Sequence, residues 1–325
     1  QAAAMQNQLS FSRDMEREAD RVGFSLMSPA GFQGQGAITL FDKLIQASRL
    51  NDSGAYPYLR SHPMSTERMA DMAGRAQQLG AIEKSVGQDL VHAMMAARAR
   101  ALTDLSSDAQ RKLMLDAKTQ HGSAPMSAAR AASLYAGVWA HMNARQFAEA
   151  ERLLSVLRMA LKGQSPELDQ VLWLAAELNM RQSKPTEALQ ALDGISFSAS
   201  TTRAHLMLKA QALIESQQLE LARQAVPVLE AWLNMHPRDG QAWEMSGQAL
   251  GLAQEPLRSL RAQAEARAVR FDLVAAIDRM MAAQELARGL ASQGKLNRAQ
   301  EIDASIIDTR LRQLRELRRE QTLQR

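Results

Sequence analysis

The sequence predicts an all-α protein in two parts, a short group of helices followed by a longer array of helical hairpins. Three observations predict it. Ala, Leu, Gln, Arg and Met dominate a chain with only 4% aromatic residues, and all five are good helix formers. From about Ile82 onward one helical apolar pattern follows another, with short polar turns between them. Within that stretch a small residue recurs at Ala150, Ala188, Ala222 and Ser259, at spacings of 38, 34 and 37 residues. Such spacing reads as a repeat, with an irregular helical bundle of coincidental spacing as the alternative.

Taken in order, the Gln- and Ala-rich residues 1–10 are expected to be frayed or to be the end of a longer helix. A first helix is predicted over about Ser12 to Leu26, stopping at Ser28-Pro29-Ala30-Gly31. A second runs over about Gly36 to Arg49, with Ile38, Phe41, Leu44 and Ile45 on one face. Asn51 to Pro63 reads as a loop, holding Gly54, Pro57 and Pro63. A third helix starts at Ser65, whose hydroxyl is placed to cap it, and continues through Met69, Met72 and Leu79.

Sixteen residues before each recurring small residue stands a large apolar one: Leu134, Leu172, Leu206 and Trp243. This pattern resembles the TPR repeat, whose period is about 34 residues. The consensus Gly is met by Gly247, by Ala176 and Ala210, and poorly by Val138; Pro166 and Pro237 fall near repeat boundaries. Small residues let the two helices of a hairpin approach closely, and large ones fill the groove of the next hairpin. The expected division is therefore 1–81 for the first part and 82–325 for a TPR-like α-solenoid.

Composition narrows the classes. Hydrophobic residues make up 46% of 325 residues, enough to bury a sizeable core. Cysteine is absent, which excludes a disulfide-stapled module and any thiolate chemistry. No apolar run approaches the roughly 18 residues of a membrane span. The chain opens on Gln1 with no signal peptide, which reads as a processed or truncated start. From Arg310 to Arg325 there are six Arg and two Glu, which equals the whole net charge of +4. A basic end of this kind is chiefly a solvated helix, with contact to an anionic surface or nucleic acid the lesser reading.

The segment Ser12 to Gly23 stands apart. Glu16 and Asp20 are four residues apart, so a helix stacks both carboxylates on one face. Two like charges there repel unless something positive sits between or beside them. Alone, such a pair is a weak signal; the surrounding run strengthens it. Glu16-Arg17-Glu18-Ala19-Asp20-Arg21-Val22-Gly23 is followed by Ser61-His62-Pro63 and then by Glu67-Arg68-Met69-Ala70-Asp71. This order resembles the zinc metallopeptidase family of HtpX and the CAAX-prenyl endopeptidases, and within it the BepA-type periplasmic branch that carries TPR repeats. The resemblance implies the C-terminal part of a helical zinc-metallopeptidase domain over 1–81.

It implies Glu16 as a zinc ligand and Asp20 as the carboxylate that holds a ligand His. His62 would be a fourth ligand, or a gate over the metal. Arg68 would anchor the loop rather than react, with a surface pair to Glu67 or Asp71 as the alternative. The six histidines are His62, His92, His121, His141, His205 and His236, and none begins H-E-x-x-H. Two metal ligands and the general-base Glu are thus missing from this sequence, and this chain alone is expected to lack peptidase activity and tightly bound zinc. For the full-length protein the resemblance implies Zn2+, a periplasmic location, and a role in outer-membrane protein quality control or assembly. The repeats would bind protein or unfolded-polypeptide clients, with no nucleic acid and at most peripheral membrane contact. The rival reading is a non-catalytic TPR adaptor. His92, His141 and His205, the methionines and the four tryptophans all read as packing residues.

Overall fold

The computed structural model describes residues 2–27, 29–49, 66–79, 86–120, 125–164 and 167–323. Among them every regular element is an α-helix, fifteen in all. The chain divides into two compact units, Gln1–Ser85 and Val86–Arg325.

The first unit holds α1 (Ala2–Met27), α2 (Gly34–Arg49) and α3 (Thr66–Leu79). Helix α1 absorbs residues 2–10 and is longer than the 12–26 expected, since Ala- and Gln-rich sequence extends a helix readily once a packed end supports it. It stops where Gly31 adopts φ +81°, a left-handed turn that costs glycine little, and the Phe32 N–H donates to the Met27 carbonyl at 2.9 Å. Phe24, Ala37, Phe41 and Met72 form the core, with Met27, Ile38, Leu44, Met69 and Ala76 around it. The 51–63 loop and the Ser65 cap lie outside the described residues.

The second unit runs through α4 (Val86–Thr103), α5 (Ser107–Lys118), α6 (Ala128–Asn143), α7 (Phe147–Ala160), α8 (Glu167–Arg181) and α9 (Pro185–Leu192). It continues with α10 (Arg203–Glu215), α11 (Leu219–Met235), α12 (Gly240–Leu252), α13 (Pro256–Val269), α14 (Leu273–Ser292) and α15 (Arg298–Leu323). Sequence neighbours pack on one another along most of this order, and α8 also touches α4 and α10. Ser106, Ser127, Asp239 and Asp272 cap helix starts with their side-chain oxygens, and Pro185 and Pro256 occupy first turns where a missing N–H is harmless.

The repeat noted in the sequence has a backbone counterpart. Arg145, Ser183, Gln217 and Gln254 all have positive φ, between 56° and 64°, and each lies five residues before one of the recurring small residues. Three of these turns close alike: Gln146, Lys184 and Glu255 donate backbone N–H to His141, Asn179 and Leu250 at 2.8–2.9 Å. Such closure normally uses glycine. Here non-glycine residues accept the left-handed strain, roughly 1 kcal/mol each, because the following small residue is locked in the hairpin. Ala150, Ala188 and Ala222 have no exposed surface, and Ser259 is buried, donating its hydroxyl to the Gly247 carbonyl at 2.7 Å. Leu134 and Leu206 are buried, whereas Leu172 and Trp243 are half-buried.

Two packing expectations need adjusting. His92 is exposed on α4, and Met281 keeps 45% of its surface exposed beside the fully buried Met280. Adjacent residues on a helix point about 100° apart, so a Met-Met pair cannot be buried twice on one face.

Candidate functional site

Helix α1 presents Glu16 and Asp20 one turn apart, and the second residue beyond the start of the α3 segment supplies the positive charge between them. The Arg68 guanidinium makes a two-pronged contact with Asp20, Nε to Oδ2 at 2.6 Å and Nη2 to Oδ1 at 2.7 Å. Its Nη1 lies 2.9 Å from Glu16 Oε2. The three side chains are 10%, 13% and 9% exposed for Arg68, Glu16 and Asp20, so solvent screens these contacts little. The Phe41 ring from α2 lies under the guanidinium, 5.4 Å from centroid to Cζ. Glu67 and Asp71, the local candidates for Arg68, have partners of their own in Arg17 at 2.6 Å and Arg75 at 2.9 Å. The sequence spacing brought Glu16 and Asp20 together correctly; Arg68 joins them across 48 residues, which no helical periodicity reports.

A zinc ion needs about four donors at 2.0–2.3 Å. Among the described residues no group of three or more His, Asp or Glu is placed to hold a metal. Glu16 faces a guanidinium, and H-E-x-x-H is absent from the sequence. The residues present therefore do not by themselves fit the metal, and no chemical step is routed through it here. What the arrangement does is hold two carboxylates of α1 in a fixed, charge-compensated geometry. His62, with Ser61 and Pro63, lies outside the described residues.

A second charged cluster, in the second unit, carried no signal in the sequence. Arg98 on α4 binds Glu177 on α8 through two bonds of 2.5 and 2.6 Å, across 79 residues. The Arg98 guanidinium also lies over Trp139 of α6 at 4.6 Å. Burial works against the charged Arg98, but the hydrogen bonds and charge of Glu177 outweigh it and raise its pKa. Burial, reinforced by the Glu177 charge, pushes the neighbouring Tyr135 phenol up to about 12. The cluster is a three-helix tie.

His205 of α10 is fully buried, and Trp173 Nε1 donates to its Nδ1 at 3.2 Å. The proton of the neutral ring must then sit on Nε2, which has no partner among the described residues. Burial first, and the Lys209 charge second, hold its pKa down at about 4.

Residues 1–76 match the model of Peptidase family M48. The beta-barrel assembly-enhancing protease of Escherichia coli (strain K12) is 27% identical over 319 residues, covering 97% of this chain and 60% of that protein. The Yersinia pestis protein of the same name is 25% identical over 279 residues, 85% of this chain and 54% of its own length. A putative beta-barrel assembly-enhancing protease of Vibrio cholerae is 28% identical over 165 residues, 48% of this chain and 31% of its own. The chain thus spans about 60% of the length of the longest-matching of these relatives.

Proposed function

We infer, from the premise that residues 1–76 are a segment of peptidase family M48, that this chain is the C-terminal portion of a periplasmic zinc endopeptidase. It acts in the quality control or assembly of outer-membrane β-barrel proteins. The observation that carries the reading is the M48 match over residues 1–76, the segment that holds Glu16, Asp20 and Arg68. Glu16 is the zinc ligand of the assembled enzyme, Asp20 the carboxylate behind a ligand histidine, and His62 the fourth ligand or gate. Arg68 is a positioning residue that fixes both carboxylates on α1. Residues 1–81 complete the protease domain, and residues 82–325 form a TPR-like solenoid that engages β-barrel clients or their assembly machinery. The recurring left-handed turns before Ala150, Ala188, Ala222 and Ser259 support the solenoid, and similarity over 97% of the chain to a beta-barrel assembly-enhancing protease supports the client class.

This chain alone has no peptidase activity and no tight zinc. Arg68 compensates both carboxylates without a metal, which equally suits the rival reading of a non-catalytic adaptor. Two measurements on the purified chain test the proposal. Incubated with one equivalent of zinc and desalted, it should retain well under one metal per chain; one zinc per chain would refute the inactive-fragment reading. It should bind a urea-unfolded outer-membrane β-barrel protein saturably, and no binding would refute the client reading. The adaptor and enzyme readings separate on the coding sequence upstream of Gln1, where the enzyme reading requires an H-E-x-x-H.

A further inference from the structure

The arginines that hold the chain's excess charge line a cleft that the proposed function does not use. On α15, Arg315, Arg318, Arg319 and Thr322 follow one another at i, i+3, i+4 and i+7, the spacing of one helix face. With Leu323, and with Ile277, Asp278 and Met281 of α14, they line an open groove of about 690 Å3. The two helices are joined by a buried cluster that includes Leu273, Ile277, Met280, Ile307, Leu311 and Leu314. Leu314 is the last buried residue of α15, so the cleft opens where the apolar contact ends.

Charge in the cleft is unbalanced. Three guanidiniums face one lining carboxylate, Asp278, and none of the three forms an ion pair among the described residues. Other arginines of the same unit are neutralised. Arg310 is tied to Glu265 at 2.7 and 2.8 Å, Arg98 to Glu177, and Arg258 to Glu230 and Glu255. Glu316 and Glu320 are exposed and do not line the groove. The same lining carries exposed apolar side chains, Met281 at 45% and Leu323 at 87%.

We propose that this cleft binds an acidic peptide segment, its carboxylates on Arg315, Arg318 and Arg319 and an apolar side chain against Met281 and Leu323. Guanidinium forks match carboxylates two bonds at a time, and such charge-assisted bonds are the stronger ones. Apolar and cationic side chains in one groove ask for a ligand that combines charge with a hydrophobic group. Its volume falls within the roughly 300–1,000 Å3 typical of ligand sites. Its concave, two-helix form suits a chain segment better than a flat anionic membrane, which is met by a protruding apolar helix face.

The test uses the full chain and a fluorescent acetylated peptide of sequence Asp-Glu-Leu-Asp-Glu, read by anisotropy at low salt. Saturable binding is expected, and its Asn/Gln counterpart should bind at least about tenfold more weakly. The double variant R318E/R319E should lose about tenfold or more, and Met281→Gln about threefold, with unchanged helical circular dichroism. Both changed positions on α15 are exposed, so folding should not suffer. Three results would overturn the proposal: no peptide binding, binding indifferent to R318E/R319E, or Arg-dependent capture of phosphatidylglycerol vesicles without peptide binding.

Discussion

Among the described residues, the three helices of 1–85 meet around a guanidinium, whereas the twelve of 86–325 pack chiefly through alanine and leucine. Among the described residues of the first unit the buried apolar cluster is Phe24, Ala37, Phe41 and Met72. The cluster around Leu134 and Leu174 alone has nineteen residues. Apolar burial is diffuse and contributes a little at each contact, so an array built from it spreads its stability over many positions. A buried ion cluster concentrates stability in one place, because removing one partner strands the others. In the described part of the small unit stability is therefore concentrated on Glu16, Asp20 and Arg68.

The sharpest way to break this comparison is Arg68→Ala. Asp20 would stay mostly buried after losing the two-pronged guanidinium contact, and Glu16 would lose its 2.9 Å contact, a cost of roughly 3–5 kcal/mol. Hydrogen exchange should accelerate across α1 and α3 while α6 to α13 keep their protection. Replacing all three charges together, as E16L/D20L/R68M, should cost less than Arg68→Ala alone, since it leaves no buried carboxylate facing a missing guanidinium. If Arg68→Ala leaves exchange in α1 and α3 unchanged, the cluster does not hold the unit.

How far the sequence announced these two units follows the same line. Local periodicity exposed the helices, the Glu16/Asp20 stacking and the recurring Ala150, Ala188, Ala222 and Ser259, because each is a relation within a few turns or a fixed period. Arg68 with Asp20 and Arg98 with Glu177 are relations across 48 and 79 residues, and a charge in sequence does not say which distant charge it will meet. Near neighbours mislead here: Glu67 and Asp71 flank Arg68 in the chain yet pair with Arg17 and Arg75. The closest helix approach was also shifted by one residue. The repeat pattern puts the small position at Val138, whereas the tight contact is at Gly137, because α6 is surrounded by α5 as well as its hairpin partner α7.

His205 qualifies the view of the second unit as uniformly apolar. In the unfolded chain its pKa is near 6.5, and in the fold it is held down at about 4. Between those values the unfolded state binds the extra proton, so stability rises with pH and is lost as pH falls from about 6.5 toward 4. Protonation would also turn Nδ1 into a donor and break the bond from Trp173. The loss is bounded at ~3 kcal/mol by the shift. Urea midpoints of the native chain and of His205→Leu, followed from pH 7.5 to 4.5, should converge as the pH falls. Parallel curves would remove the histidine from the account.

The smallest effect is the most local, and it asks whether the array tolerates change evenly. Glycine to alanine in a helix gains up to ~1 kcal/mol of propensity, so the sign at each glycine depends on what the new methyl meets. At Gly247 a Cβ would lie 3.0 Å from Gln263 Cγ, the middle of a flexible side chain, and Gly247→Ala should be close to neutral. At Gly137 it would lie 2.3 Å from Ala117 Cβ and 3.0 Å from Leu153 Cδ1. The Ala117 methyl cannot rotate away, so α5 or α6 must shift, an overpacking cost of roughly 1–3 kcal/mol that outweighs the propensity gain. Gly137→Ala should therefore lower the denaturant midpoint while Gly247→Ala leaves it nearly unmoved. Equal midpoints would mean that α5 yields freely against α6, and that the first repeat is softer than its buried core suggests.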